Sequence, residues 1–255
     1  MEQKNKSQRD AELVRIARDF WISSRLELKF PRDIDRAICR ALPICIIRLP
    51  QLTSRTASAW LAEHRLAISE NSKELPLRGL MIARWGRGLI FVDGDDSEVE
   101  IRFSIAHELA HFLLEYWVPR QKILQSIGDR AIEFLEGYRV PYAEERLAGI
   151  LRGVQWDEFR SSTARTSDGR FVTQAALDAE DLADQLALEL LAPVTELSRR
   201  GYLVASTDTA VEMADGAISA CSTKFGLPKA VTHRYLRMLN ARNRPRLTVR
   251  KWLGL

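Results

Sequence analysis

The sequence predicts an α+β fold: a small antiparallel sheet set against two long helices, with further helical segments at both ends. Three observations predict it. Two apolar runs, GLMIAR and GLIFVD, flank Trp85, Gly86 and Arg87, the composition and spacing of an antiparallel hairpin. The segment IAHELAHFLLEY has apolar residues at helical period. The segment from Thr173 to Leu191, rich in Ala and Leu and ended by Pro193, is a second long helix.

Taken in order, residues 1–40 form an N-terminal helical segment, with helical spacing through RDAELVRIARDFWISSRLEL and again through PRDIDRAICRAL. LPICIIRL has the β-branched density of a buried strand. SRTASAWLAEHRL returns to helical period with Ser54 at its N-cap. The hairpin follows, then the polar break GDDSEVE, and a helix opens near Phe103 and Ser104. Between Trp117 and Gln174 the pattern weakens to short helical pieces and the polar stretch SSTARTSDGR, which reads as an insertion between the two long helices. Residues 41–200 thus form the core. Residues 201–255 form a C-terminal unit: two helices joined at Phe225-Gly226-Leu227, with Pro228 opening the second, and a basic tail.

With 255 residues, 46% of them hydrophobic, the chain can bury a substantial core and is not of a disordered class. No apolar run approaches the ~18 residues of a membrane span, and the charged start MEQKNKSQRDAELVR lacks the features of an export signal. A cytoplasmic location without membrane partners is expected. Cys39, Cys45 and Cys221 form no C-x-x-C pair, so neither a disulfide framework nor a thiolate metal site is indicated. The net charge of +4 is mild, but Arg234, Arg237, Arg242, Arg244, Arg246, Arg250 and Lys251 crowd the C-terminus.

The chemistry concentrates in HELAH. His107 and His111 stand at i and i+4, so one helical face presents both imidazoles to a shared metal ion. Glu108 reaches a metal-bound water and serves as the general base that later returns the proton to the leaving amine. A third ligand is expected from Glu180, with Asp184 one turn on to accept the N–H of a ligating histidine. Ala176, Ala183 and Ala187 on that face let the two helices approach closely, whereas Asp178, Asp181 and Glu189 lie on other faces. Glu115 is a weaker alternative ligand, because three ligands from one straight helix do not easily close round one ion, and a structural role is expected for it. His64, His233, Tyr116, Tyr138 and Tyr142 are open alternatives as electrophilic helper.

The string RFSIAHELAHFLLE, followed by EDLADQLALELLAP from Glu180 to Pro193, resembles the ImmA/IrrE family of metallopeptidases. The resemblance covers both metal-bearing helices and extends loosely over residues 40 to 240. It implies a zincin-like core, one zinc ion per chain held by His107, His111 and Glu180, and Glu108 as catalytic acid and base. The implied substrate is a helix-turn-helix repressor cleaved within the cell to switch genes, and the C-terminal unit would be helix-turn-helix-like. Three departures stand out: Asp184 replaces a common asparagine, Ala192 a common methionine, and the stretch from Trp117 to Gln174 is longer than usual. The alternative from another class is a transcriptional regulator with a structural or sensing metal site. Its C-terminal helix would present Lys229, Thr232, His233, Arg234 and Arg237 to the DNA major groove.

Overall fold

A computed structural model describes residues 2–27, 29–66, 74–154, 159–164, 174–203 and 215–242. The basic tail from Asn243 onward, with Arg244, Arg246, Arg250 and Lys251, lies outside the described residues. The fold is α+β and mostly helical, and none of its described helices is long and apolar enough to cross a membrane.

Two helices, α1 (Glu2–Ser24) and α2 (Ile34–Ala41), precede strand β1 (Ile44–Leu49). Helix α3 (Ser54–Glu63) starts at a Thr53 N-cap whose hydroxyl accepts from the Thr56 N–H, one residue before the cap read from the sequence. Strands β2 (Leu77–Arg84) and β3 (Arg87–Asp93) form the expected hairpin. Its two turn residues, Trp85 and Gly86, both have positive φ (53° and 72°), the backbone hand that matches strand twist. Trp85 tolerates it at the surface, with Arg84 over its ring at 4.2 Å.

The sheet is mixed, which corrects the all-antiparallel expectation: its order is β1-β3-β2-β4, with β1 parallel to β3 and the other pairs antiparallel. The reason is topological. The chain leaves β1 through α3, enters the far side of the sheet as β2, and the hairpin turns β3 back alongside β1 in the same direction. A second correction concerns β4 (Phe159–Ala164), which occupies the outer edge of β2 in a stretch read from the sequence as loop.

Helix α4 (Glu98–His111) also starts earlier than expected, inside the polar break. Ser97 and Glu100 form a capping box in which the Glu100 carboxylate accepts from the Ser97 N–H (3.3 Å) and hydroxyl (2.8 Å). After His111 the helix widens into a π turn, Phe112–Trp117, before α5 (Val118–Ile127). Pro119 offers no N–H to the carbonyl one turn back, which is reason enough for the regular ladder to break there. Helices α5, α6 (Ala131–Leu135) and α7 (Ala143–Leu151) gather round a small core of Ile123, Ala131, Phe134, Leu135 and Val154.

Helix α8 (Gln174–Leu191) crosses α4 in the main core, followed by α9 (Val194–Arg199), α10 (Asp215–Phe225) and α11 (Lys229–Arg242). The main core draws on α1, α2, α4, α8, α10 and α11 together, from Leu13 to Leu239. Phe112 and Phe225 are completely buried in it, each worth about 1.5–3 kcal/mol relative to an exposed ring. The carbonyls at the end of α8 have no partner within the helix, and its neighbours supply them. Leu190 O accepts from Trp21 Nε1 (3.1 Å) and the Arg32 guanidinium (2.7 Å), and Ala192 O from the Tyr235 hydroxyl (3.2 Å). Both ends of the chain therefore brace the helix that carries Glu180.

Candidate metal centre

Helix α4 is apolar on nearly all sides because it runs through the core, and this carries HELAH out of solvent: His107, Glu108 and His111 are all buried. The completely buried alanines Ala106 and Ala110 on α4, and Ala183 and Ala187 on α8, leave room for the two helices to come close. Glu180 then reaches both imidazoles.

Nε2 of His107 lies 3.1 Å from Nε2 of His111. The Glu180 carboxylate completes the triangle, with one oxygen 3.2 Å from Nε2 of His107 and the other 3.3 Å from Nε2 of His111. The opposite ring nitrogens are already engaged. Nδ1 of His107 donates to Asp184 at 3.0 Å, and Nδ1 of His111 donates to Glu115 at 2.6 Å. With both Nδ1 atoms protonated, neutral rings turn two Nε2 lone pairs toward each other and toward a carboxylate, an arrangement that a cation between them resolves. His107, His111 and Glu180 are thus a group that could hold a metal ion, partly open to solvent on the Glu180 side.

Where no metal ion is bound, the same surroundings favour protonated imidazoles in place of a cation. Burial alone would lower the His107 pKa, but hydrogen bonds to Asp184 and Glu180 and the nearby charge of Glu108 outweigh it and hold it up at about 10. His111 is likewise opposed by burial, yet held up at about 9 by Glu115, Glu180 and Glu108. Burial would raise Glu180, but its bonds to the two imidazoles bring it down to about 2. Carboxylates outnumber imidazoles here, and the field favours positive charge between the two imidazoles and Glu180.

The sequence-predicted residues His107, His111, Glu180 and Asp184 come together, and Glu108 stands beside them against β2. Glu189 is elsewhere: its carboxylate accepts from the Val194 N–H at 3.1 Å, and burial pushes its pKa up. The five helper candidates are spread apart. The His64 ring stacks on Trp60 at 3.7 Å, and the Tyr116 hydroxyl accepts from the Gly86 N–H at 2.6 Å. Tyr138, Tyr142 and His233 face solvent.

Two residues add to what the motif alone gives. Glu115 holds His111 as Asp184 holds His107, and its i+4 spacing from His111 is the signal, the same spacing that pairs the histidines. Gly79 on β2 faces Glu108 so closely that a Cβ there would lie 2.5 Å from its Oε1. A glycine inside an apolar strand run signals such an approach. On α11, Thr232 is completely buried and Arg234 pairs with Asp184 at 2.7 Å, so two of the five residues considered for a DNA groove are engaged with the protein itself. Comparison with models of known protein families, with characterised proteins and with solved structures gave no match.

Proposed function

We propose that the chain is a zinc-dependent endopeptidase acting in the cytoplasm, with a zincin-like core. The supporting observation is the ligand triangle. Tetrahedral zinc with bonds of about 2.0–2.1 Å separates its ligand atoms by about 3.3–3.4 Å; here the two Nε2 atoms stand 3.1 Å apart, each lies 3.2 or 3.3 Å from a different oxygen of the Glu180 carboxylate, and both outer imidazole nitrogens are already bonded to carboxylates. A helix carrying two solvated histidines needs no such arrangement.

When bound, zinc would acidify a water molecule and polarise the scissile carbonyl. The chain's residues do the rest. His107, His111 and Glu180 would hold the ion, and Asp184 and Glu115 would fix each imidazole in the tautomer that leaves Nε2 free to ligate. Glu108, buried and backed by Gly79, takes the proton of the attacking water and delivers it to the amine that leaves. The resemblance to the ImmA/IrrE family supports a regulatory protein of the helix-turn-helix repressor class as substrate, and the tail-bearing unit after α9 as a helix-turn-helix-like appendage.

Elemental analysis of the purified chain tests this reading together with a peptide-library digest read by mass spectrometry. Wild type is expected to hold stoichiometric zinc and to cut. Glu108→Gln keeps the zinc and loses cleavage, and Glu180→Ala loses both. Wild type without tightly held zinc, or cleavage that survives Glu108→Gln, refutes it.

A further inference from the structure

The long segment between Trp117 and Gln174 contributes β4, and the place of that strand bears on how a peptide reaches the base. Gly79 makes β2 the wall behind Glu108. One edge of β2 pairs with β3. The other pairs antiparallel with β4, Gly79 opposite Thr163 and Leu77 opposite Ala164, with a register shift between those two positions. β4 also touches α4. The strand edge that runs past the base is therefore filled by the chain's own insertion.

We propose that this edge of β2 is the docking strand for the peptide to be cut, and that β4 holds its place until an extended substrate segment exchanges for it. The inference rests on the peptidase reading and adds to it a substrate class: an extended segment, not a folded helix. An incoming peptide must satisfy its backbone N–H and C=O groups, and adding to a strand edge does this for every second residue.

The two ends of β4 differ. Phe159, opposite Ala83, is buried in the main core and anchors one end. The other end crosses the register shift between Gly79 and Leu77, where the ladder of Thr163 and Ala164 with β2 is irregular. β2 itself is apolar and buried from Leu80 to Ala83 and stays in place. Exchange begins at the Ala164 end, which includes Thr163 opposite Gly79, while Phe159 stays anchored.

The test uses the full zinc-loaded chain carrying Glu108→Gln, so that nothing is cut, and a fluorescent peptide with the sequence of residues 159–164 read by anisotropy. Successive residues of a strand alternate in the direction of their N–H groups, so of Ser161→Pro and Ser162→Pro one removes a ladder hydrogen bond. That variant is expected to bind the peptide at least about ten-fold more tightly than its parent, because the competent edge is more often free. A disulfide between Leu80→Cys and Ser162→Cys, in a chain with Cys39→Ser and Cys45→Ser, is expected to abolish binding until reduced. Equal binding by the parent, proline and disulfide-locked chains overturns the proposal, as does absence of binding by proline variants that retain zinc and melt like the parent. Exchange without cleavage of any peptide by the Glu108-bearing chain would leave the docking edge standing and remove the peptidase reading.

Discussion

Gly79→Ala isolates the contact between the sheet and the base. The added methyl would stand 2.5 Å from Oε1, 2.8 Å from Cγ and 3.0 Å from Cδ of Glu108, all inside van der Waals contact. Glu108 is fully buried, so its carboxylate cannot swing into solvent and must be displaced within the core. Overpacking of this kind costs about 1–3 kcal/mol, whereas removing a glycine's backbone freedom returns only about 0.4–1 kcal/mol, so the net is destabilising. In a chain of this size that lowers Tm by about 2–4 °C per kcal/mol. Under the proposed peptidase mechanism activity suffers more, because a catalytic group moved by about 1 Å loses about 100-fold in rate. The assay is a double-mutant cycle by thermal melting, with Gly79→Ala made in wild type and in Glu108→Ala, where the methyl has room. Destabilisation should nearly vanish in the second background. Equal destabilisation in both, or full cleavage activity in Gly79→Ala, refutes the contact as the cause.

The remaining predictions concern the ion, the pH response and the C-terminal turn. Glu115→Gln and Asp184→Asn should each weaken zinc affinity about 10- to 100-fold in chelator competition while Glu108→Gln leaves it nearly unchanged, and a change below about two-fold in both would remove the carboxylates' role. In the metal-stripped chain, His107 and His111 are raised from 6.5 to about 10 and about 9, so the stability they add is complete below pH 6.5 and is lost as pH climbs through 9 to 10. Glu180, lowered from 4.5 to about 2, adds stability that is complete above pH 4.5 and is lost as pH falls toward 2. Melting temperatures of the stripped chain should therefore fall on both sides of that window, and a rise between pH 7 and 10 would contradict it. Gly226→Ala should cost about 1–2 kcal/mol in urea denaturation from its left-handed backbone alone, since Gly226 has φ +63° and a Cβ there would meet Pro31 at 3.0 Å. A loss below about 0.5 kcal/mol would show that the turn relaxes.

Much of the site is legible in the sequence because it lies on two helices whose 3.6-residue period fixes which side chains share a face. His107 and His111 on one, and Glu180 and Asp184 on the other, need only that those faces meet, and runs of alanine say that they can. The sheet is less legible. The hairpin announces itself through Trp85-Gly86, but the parallel pairing of β1 with β3 depends on where β2 enters the sheet, which no local pattern encodes. β4 is hidden for a different reason: Ser161 to Ala164 have weak apolar alternation, and the strand exists because β2 offers it a backbone edge. The early start of α4 was within reach, since Ser97 and Glu100 are a capping box in a stretch otherwise read as loop.

The C-terminal helices bear on the choice between a peptidase and a DNA-binding regulator. A recognition helix must lay one face in the major groove, and that face must be free of the protein core. On α11, Tyr235, Leu236 and Leu239 lie in the main core and Thr232 is completely buried, with its hydroxyl donating to the Pro228 carbonyl at 3.0 Å. Lys229, His233 and Arg237 face solvent, while Arg234 turns to Asp184, whose other oxygen accepts from Nδ1 of His107. An exposed pair such as Arg234 with Asp184 contributes at most about 1 kcal/mol, so it does not hold the helix in place; Tyr235 and its apolar neighbours do. Its position matters more than its strength. The guanidinium and the His107 imidazole draw on the same carboxylate, so a movement of α11 would be felt at His107, and α11 acts as a part of the support of the candidate metal centre.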